Sequence, residues 1–289
     1  MKRILSIFIF ISIISTIVKA QVNVPLTSSD LMDIQRERDI MKMMNIDVSQ
    51  TWLYLVKDNM VSSNKYLVSE IIYNESGSPE KMVFFDEDMH VKSFTKVKYN
   101  KKNLPFEEIR FTSDSSLLNG IMYIYDKDDL LEKQINYNNS GDIISTYKYS
   151  RLNDTVFIDE FNGLDDLVSK SFLIIDSGER TDYIKKIVKI NTSDNTVEKQ
   201  IFEYDDMSLL TKKTIIEGES NTGYKTFVYN DDGALVKSSF YTENNEFVNS
   251  TSYEYDDYGN VIRIIERQEK DNSTKVFVIN YLTKTQNED

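Results

Sequence analysis

The chain has 289 residues, no cysteine, one histidine and a formal net charge of −13. An acidic surface disfavours nucleic acid and anionic membrane surfaces as partners. The absence of cysteine removes disulfides, thiol nucleophiles and thiolate metal sites, and one histidine cannot build a multi-histidine metal centre.

The first element is a targeting segment. Lys2 and Arg3 precede an almost wholly apolar run from Ile4 to Val18, and Val18-Lys19-Ala20 before Gln21 reads as a small-residue cleavage site. The run is shorter than the ~20 residues a membrane span needs. Residues 1–20 are therefore read as a signal peptide, which makes the protein exported: periplasmic, on the cell surface or secreted. Cleavage removes three of the 34 basic residues and leaves 31 against 47 acids, a formal charge of −16.

Residues 28–45, SSDLMDIQRERDIMKMMN, carry the clear helical pattern. Ser29 is the candidate cap, with Asp30 in the first turn. Leu31, Ile34, Ile40, Met41 and Met44 recur at broadly helical spacing. This helix is expected to cover an end or a face of the strands that follow it, with its methionines in packing contacts. Trp52, Leu53, Tyr54 and Leu55 read as a first strand, so residues 21–65 form a capping segment.

From about Tyr66 a ladder begins. The residue before each polar turn is Tyr73, Phe85, Tyr99, Phe111, Tyr125, Tyr137, Tyr149, Phe161, Ile175, Ile190, Tyr204, Ile216, Tyr229, Tyr241 or Tyr255, and the steps run from 12 to 15 residues. Two residues earlier stand further apolar side chains, such as Val97, Ile109, Tyr123, Tyr147, Phe202 and Tyr253. Between them lie Lys98, Arg110, Lys148, Glu203 or Glu254. A period of two with a polar middle residue describes a half-buried strand. The turns NESG, NNSG, NDDG and DDYG place Asn or Asp first and Gly fourth, as a type I turn prefers. Links this short join antiparallel neighbours. The fold class is therefore all-β: a long antiparallel β-meander of 12–15-residue hairpin repeats over 66–283, with one short N-terminal helix and a disordered tail at 284–289. Open sheets rarely exceed about ten strands, so a meander of roughly fifteen to seventeen strands is expected to be curled or two-layered.

Three stretches, YNNSGDIISTYKYS from Tyr137, YNDDGALVKSSFY from Tyr229 and YDDYGNVIRIIERQ from Tyr255, carry aromatic, Asp or Asn, two variable residues, Gly, one variable residue, then an aliphatic. Tyr73 to Gly77 matches the opening half, whereas YDKDDLL at Tyr125 and YDDMSLL at Tyr204 lack the glycine. This pattern resembles the repeats of bacterial Rhs/YD-repeat proteins, and equally the looser MORN-like repeats of exported bacterial proteins. The resemblance implies a scaffold wall; in the Rhs family such repeats coil into a shell that can enclose a toxin domain.

No catalytic constellation stands out. His90 lies in FDEDMHV beside a turn, and neither a GxSxG elbow nor a GxxxxGK[ST] loop occurs. The 18 Tyr and 15 Phe read as cross-strand pairs, with an exposed glycan- or peptide-binding strip as the alternative. The expected role is a non-enzymatic binding or structural module of the bacterial envelope, with a protein or glycan partner of cationic character. The alternatives are a secreted hydrolase using dispersed carboxylates and an integral outer-membrane β-barrel. In a meander alternate turns share an edge, so Asp205, Asp206, Asp231, Asp232, Asp256 and Asp257 fall on one side. They are the candidate metal ligands, read as a diffuse acidic rim that holds calcium loosely at most; no cofactor is expected.

Overall fold

The computed structural model describes residues 24–57, 60–177 and 182–283. The expected signal peptide at 1–20 and the expected tail at 284–289 lie outside the described residues.

The helix, α1, spans Ser28–Met43. Its cap is Thr27, not Ser29. Thr27 Oγ1 accepts the Asp30 N–H, and the Asp30 carboxylate accepts the N–H groups of Thr27 and Leu26. A cap needs extended backbone, and Thr27 has φ −131° and ψ 166°, whereas Ser29 is already inside the helix.

Eighteen strands come after it: β1 (Ile46–Lys57), β2 (Met60–Tyr73), β3 (Pro79–Phe85), β4 (Val91–Tyr99), β5 (Pro105–Thr112), β6 (Leu117–Tyr125), β7 (Leu131–Asn138), β8 (Ile143–Leu152) and β9 (Thr155–Asn162). The second half is β10 (Leu167–Ser177), β11 (Asp182–Asn191), β12 (Val197–Tyr204), β13 (Leu210–Glu217), β14 (Ser220–Tyr229), β15 (Leu235–Tyr241), β16 (Phe247–Tyr255), β17 (Val261–Gln268) and β18 (Ser273–Thr283). Each pairs antiparallel with the next. The expected meander is present, with turns at 74–78, 100–104, 205–209, 230–234 and 256–260, where the spacing of the ladder residues puts them.

The sheet is neither an open curl nor two layers. It closes into an 18-stranded barrel because β1 pairs with β2 on one side and with β18 on the other, bringing Leu53 opposite Phe277 and Thr51 opposite Ile279. Left open, the two outer edges would each present a row of unpaired N–H and C=O groups. Closure satisfies both rows. It also raises the strand count, since β1 starts at Ile46 and β2 at Met60, ahead of the expected ladder start at Tyr66. At about 4.8 Å per strand, the wall is roughly 86 Å around before tilt. Porin barrels of this strand count leave an aqueous interior.

Nine of the hairpin loops share one construction. In the last, Asp256 donates its N–H to Asn260 O, Gly259 donates to Asp256 O, and Asp256 Oδ1 accepts the N–H groups of Tyr258 and Asn260. The loop is five residues long: the type I turn expected from the spacing, then one further residue that closes it. Asn74, Asp86, Asn100, Asp126, Asn138, Asn162, Asp205 and Asn230 bond in the same way. So the first Asp or Asn of each loop is there to hold backbone.

The fourth loop residue has positive φ: Gly259 at 89°, Gly233 at 81°, but also Met89 at 61°, Ser208 at 63° and Asp129 at 65°. These last three loops explain why the repeat survives without its glycine, at a cost of about 1 kcal/mol each. Met89→Gly is expected to stabilise the fold by about 0.5–1 kcal/mol, measured as a rise in the urea midpoint at constant slope.

Candidate functional site

The barrel has two rims. One collects the turns after the even-numbered strands β2, β4, β6, β12, β14 and β16, and α1 sits on this rim. A Cβ on Gly77 would stand 2.3 Å from Arg38 O, so α1 packs onto loop 74–78. Leu31, Ile34, Gln35 and Arg38 enclose a cavity of about 190 Å³ with Lys102, Leu104 and Asp129. Leu131 donates its N–H to Pro25 O at 2.9 Å, and the Arg151 guanidinium reaches Leu26 O. Asn260 Nδ2 meets Met44 Sδ at 3.1 Å. These contacts run from the β16/β17 loop, past the seam, to β7 and β8. A straight rod can meet so many points of a curved rim only as a chord, from the concave side.

That geometry tells inside from outside. Arg38, 7% exposed, feels Tyr99 and Tyr125, and Glu37 feels Tyr73 and Tyr281. The face carrying these tyrosines is therefore the lumen face. The tyrosines form a staple. The hydroxyls of Tyr99, Tyr125, Tyr204, Tyr229, Tyr255 and Tyr281 donate to the carbonyls of Pro79, Pro105, Ile184, Leu210, Leu235 and Val261. Each tyrosine stands at or near the end of an even strand and bonds the first or third residue of the strand before it. Burial pushes the Tyr255 hydroxyl up to about 12.

Between the tyrosines the lumen wall is mixed: Met82, Phe84 and Val97 form a buried apolar cluster on it, packed with Ile71 and Tyr99, and polar side chains share the same face. Ser49, Ser69, Ser93, Thr95, Ser169 and Ser238 are buried there. Tyr123 donates to the Glu108 carboxylate. Glu160 accepts from Ser169 and Tyr147 and pairs with Lys189 at 3.3 Å. Burial alone would raise the Glu160 pKa, but these partners together hold it below the usual carboxylate value.

The opposite, outer face mixes rings with charge. Phe94 stacks on Phe111 at 4.9 Å, Phe157 meets Phe172 edge-on at 5.5 Å, and Tyr224 stacks on Tyr241 at 5.2 Å. These are cross-strand pairs of the kind expected. Lys148 Nζ stands 4.0 Å over the Phe161 ring, and Lys212 lies over Tyr224.

The six candidate aspartates fall on the rim that carries α1. Asp205 and Asp256 spend Oδ1 on two backbone N–H groups each. Asp206, Asp231, Asp232 and Asp257 are exposed. Adjacent loops of one rim are two strands apart, about 10 Å, so one cation at ordinary oxygen distances does not bridge them. Farther round, Lys102 pairs with Asp129 at 2.7 Å and Arg151 with Asp126 at 3.4 Å, which balances that sector.

Sequence reasoning treated His90 alone and missed its company. Asp86, Asp88 and His90 each offer a ligand atom within 4.8 Å of the others, all exposed, in one loop of the opposite rim. The alternating spacing D-x-D-x-H in FDEDMH was the available signal. Asp86 Oδ1 already accepts two backbone N–H groups. Also missed were the inward Glu108, Glu160 and Lys213, whose period-two register marks them only once the inner face is known.

The fold and its walls define an all-β repeat barrel. Among the described residues no helix is long and apolar enough to cross a membrane. No family model matches the chain, and no curated protein matches it. A porin-like protein from Bacteroides uniformis is similar with a TM-score of 0.41 and 9% identity, over 82% of this chain and 98% of that one. The TcdB2-TccC3-Cdc42 structure gives a TM-score of 0.30 at 10% identity, over 78% of this chain and 14% of that one. The LolA superfamily protein NE2245 from Nitrosomonas europaea gives 0.26 at 9%, over 87% and 93%. Scores at this level assign no function.

Proposed function

We propose that the chain is an exported, non-enzymatic barrel of the bacterial envelope that works in water as a binding module, with its lumen and its acidic rim as the contact surfaces. The observation that carries this reading is the outer face. Lys96, Lys148, Lys170 and Lys237 are exposed on it, away from the ends of their strands. A lysine facing lipid costs about 2–4 kcal/mol at the midplane, so this wall suits water better than hydrocarbon. The connections support a module more than an enzyme. Between described strands each is five residues or fewer, which leaves no lid or catalytic loop of the usual kind. The YD-repeat resemblance supports the scaffold wall alone; the acidic rim supports a protein or glycan partner of cationic character.

The test is detergent dependence. The chain from Gln21, purified without detergent, is expected to stay monodisperse and to enter the aqueous phase on Triton X-114 partitioning. Recovery in the detergent phase, or insertion into liposomes, would favour the integral outer-membrane barrel.

A further inference from the structure

β13 and β14 bring two lysines face to face on the lumen wall. Lys213 and Lys225 are direct cross-strand partners. Phe202 on β12 lies opposite Lys213, and Phe240 on β15 lies opposite Lys225. The row across four strands is thus ring, ammonium, ammonium, ring. Lys213 is 9% exposed and Phe202 3%, and Lys213 Nζ stands 5.6 Å from the Phe202 ring centre. Lys225 is half-buried. Gly223 makes room beside it: a Cβ there would stand 2.9 Å from the Phe240 ring.

Other lysines of the wall show what is unusual here. Lys212, the preceding residue, faces out and lies 3.7 Å from Glu203. Lys189 faces in and has Glu160. Among the described residues no carboxylate lies within ion-pair distance of Lys213 or Lys225, in a chain with 47 acids. Like charges directly opposite destabilise a sheet, and unpaired buried ammonium groups cost further stability. Burial and then Lys225 hold the Lys213 pKa down at about 8, and burial lowers that of Lys225. An oxyanion bonded to both ammonium groups would relieve each penalty.

We infer that Lys213 and Lys225 form an anion-binding site on the lumen wall, for a carboxylate or phosphate group whose attached apolar body lies against Phe202 and Phe240. The inference rests on the binding-module reading proposed above, and its test is separate from the detergent test.

Calorimetric titration at low ionic strength, with inorganic phosphate and separately with benzoate, decides it. Saturable binding of benzoate, one per chain, is expected, with phosphate weaker. Lys213→Met and Lys225→Met should each weaken it at least tenfold, while Lys237→Met, on the outer face, should leave it unchanged. Both inner variants are expected to melt no lower than the parent, because each removes an unpaired ammonium, so lost binding would not reflect lost folding. Phosphate binding without benzoate binding would overturn the apolar body and keep the lysine pair. Absence of saturable binding for both anions, or binding that survives both inner substitutions, would overturn the site.

Discussion

Raising the pH from 10 to 12 is expected to unfold the barrel cooperatively. Burial raises the pKa of seven lumen-face tyrosines, Tyr99, Tyr125, Tyr149, Tyr204, Tyr229, Tyr255 and Tyr281, above the ordinary value of 10.0. A folded pKa above the unfolded one means that the fold favours the protonated phenol. That stability is fully present below pH 10 and is lost as pH rises through the folded values, the lowest of these seven being Tyr255 at about 12. The chemistry is direct. Six of the seven hydroxyls donate to backbone carbonyls, and a phenolate cannot donate; it would instead press a negative oxygen against the carbonyl. Each pKa unit is worth about 1.4 kcal/mol, and a domain has roughly 5–15 kcal/mol in total. Two units on each of seven groups come to about 19 kcal/mol at pH 12, and even half of that is comparable to the reserve. Lys213 works the other way: with its folded pKa lowered to about 8, the unfolded chain binds the extra proton between pH 8 and 10.5, so stability rises slightly there before the tyrosines take over. Far-UV circular dichroism and tyrosinate absorbance near 295 nm should change together between pH 10.5 and 12. Tyrosines that titrate near 10 in a barrel that stays folded at pH 12 would contradict the staple.

The tyrosine ladder and its loops were legible in the sequence because they are local. An aromatic, then Asp or Asn, then a residue at positive φ fixes a hairpin within six positions. Parity does the rest, which is how Asp205, Asp231 and Asp256 could be placed on one rim from spacing alone. The helix was legible too, but its cap was not, because Thr27, Ser28 and Ser29 stand in a row and only backbone geometry selects Thr27. The lumen face was not legible. Lys212 and Lys213 are identical neighbours in the sequence, yet one is exposed to Glu203 and the other is buried against Phe202. Period two says that they part company, but not which goes inside. That choice depends on curvature, and curvature depends on closure between segments more than two hundred residues apart.

The seam between β1 and β18 is where the closed barrel differs most from an open curl, and a disulfide tests it. Thr51 and Ile279 are register partners on the lumen face. The chain has no native cysteine, so Thr51→Cys/Ile279→Cys introduces the only thiols. The oxidised variant is expected to form one intramolecular disulfide, to migrate faster on a non-reducing gel and to resist thermal unfolding. The bridge closes a loop of more than two hundred residues, for which chain entropy predicts a gain of about 5 kcal/mol as an upper figure. Strain in the engineered bridge would reduce that gain without preventing its formation. The control pairs Thr51→Cys with Asn191→Cys at the end of β11, several strands from the seam in either direction. In a closed barrel the seam pair cross-links readily and the control does not. In an open coil the two pairs would behave alike, with slow or intermolecular cross-links in both, and the row of hydrogen bonds between β1 and β18 would have to be given up.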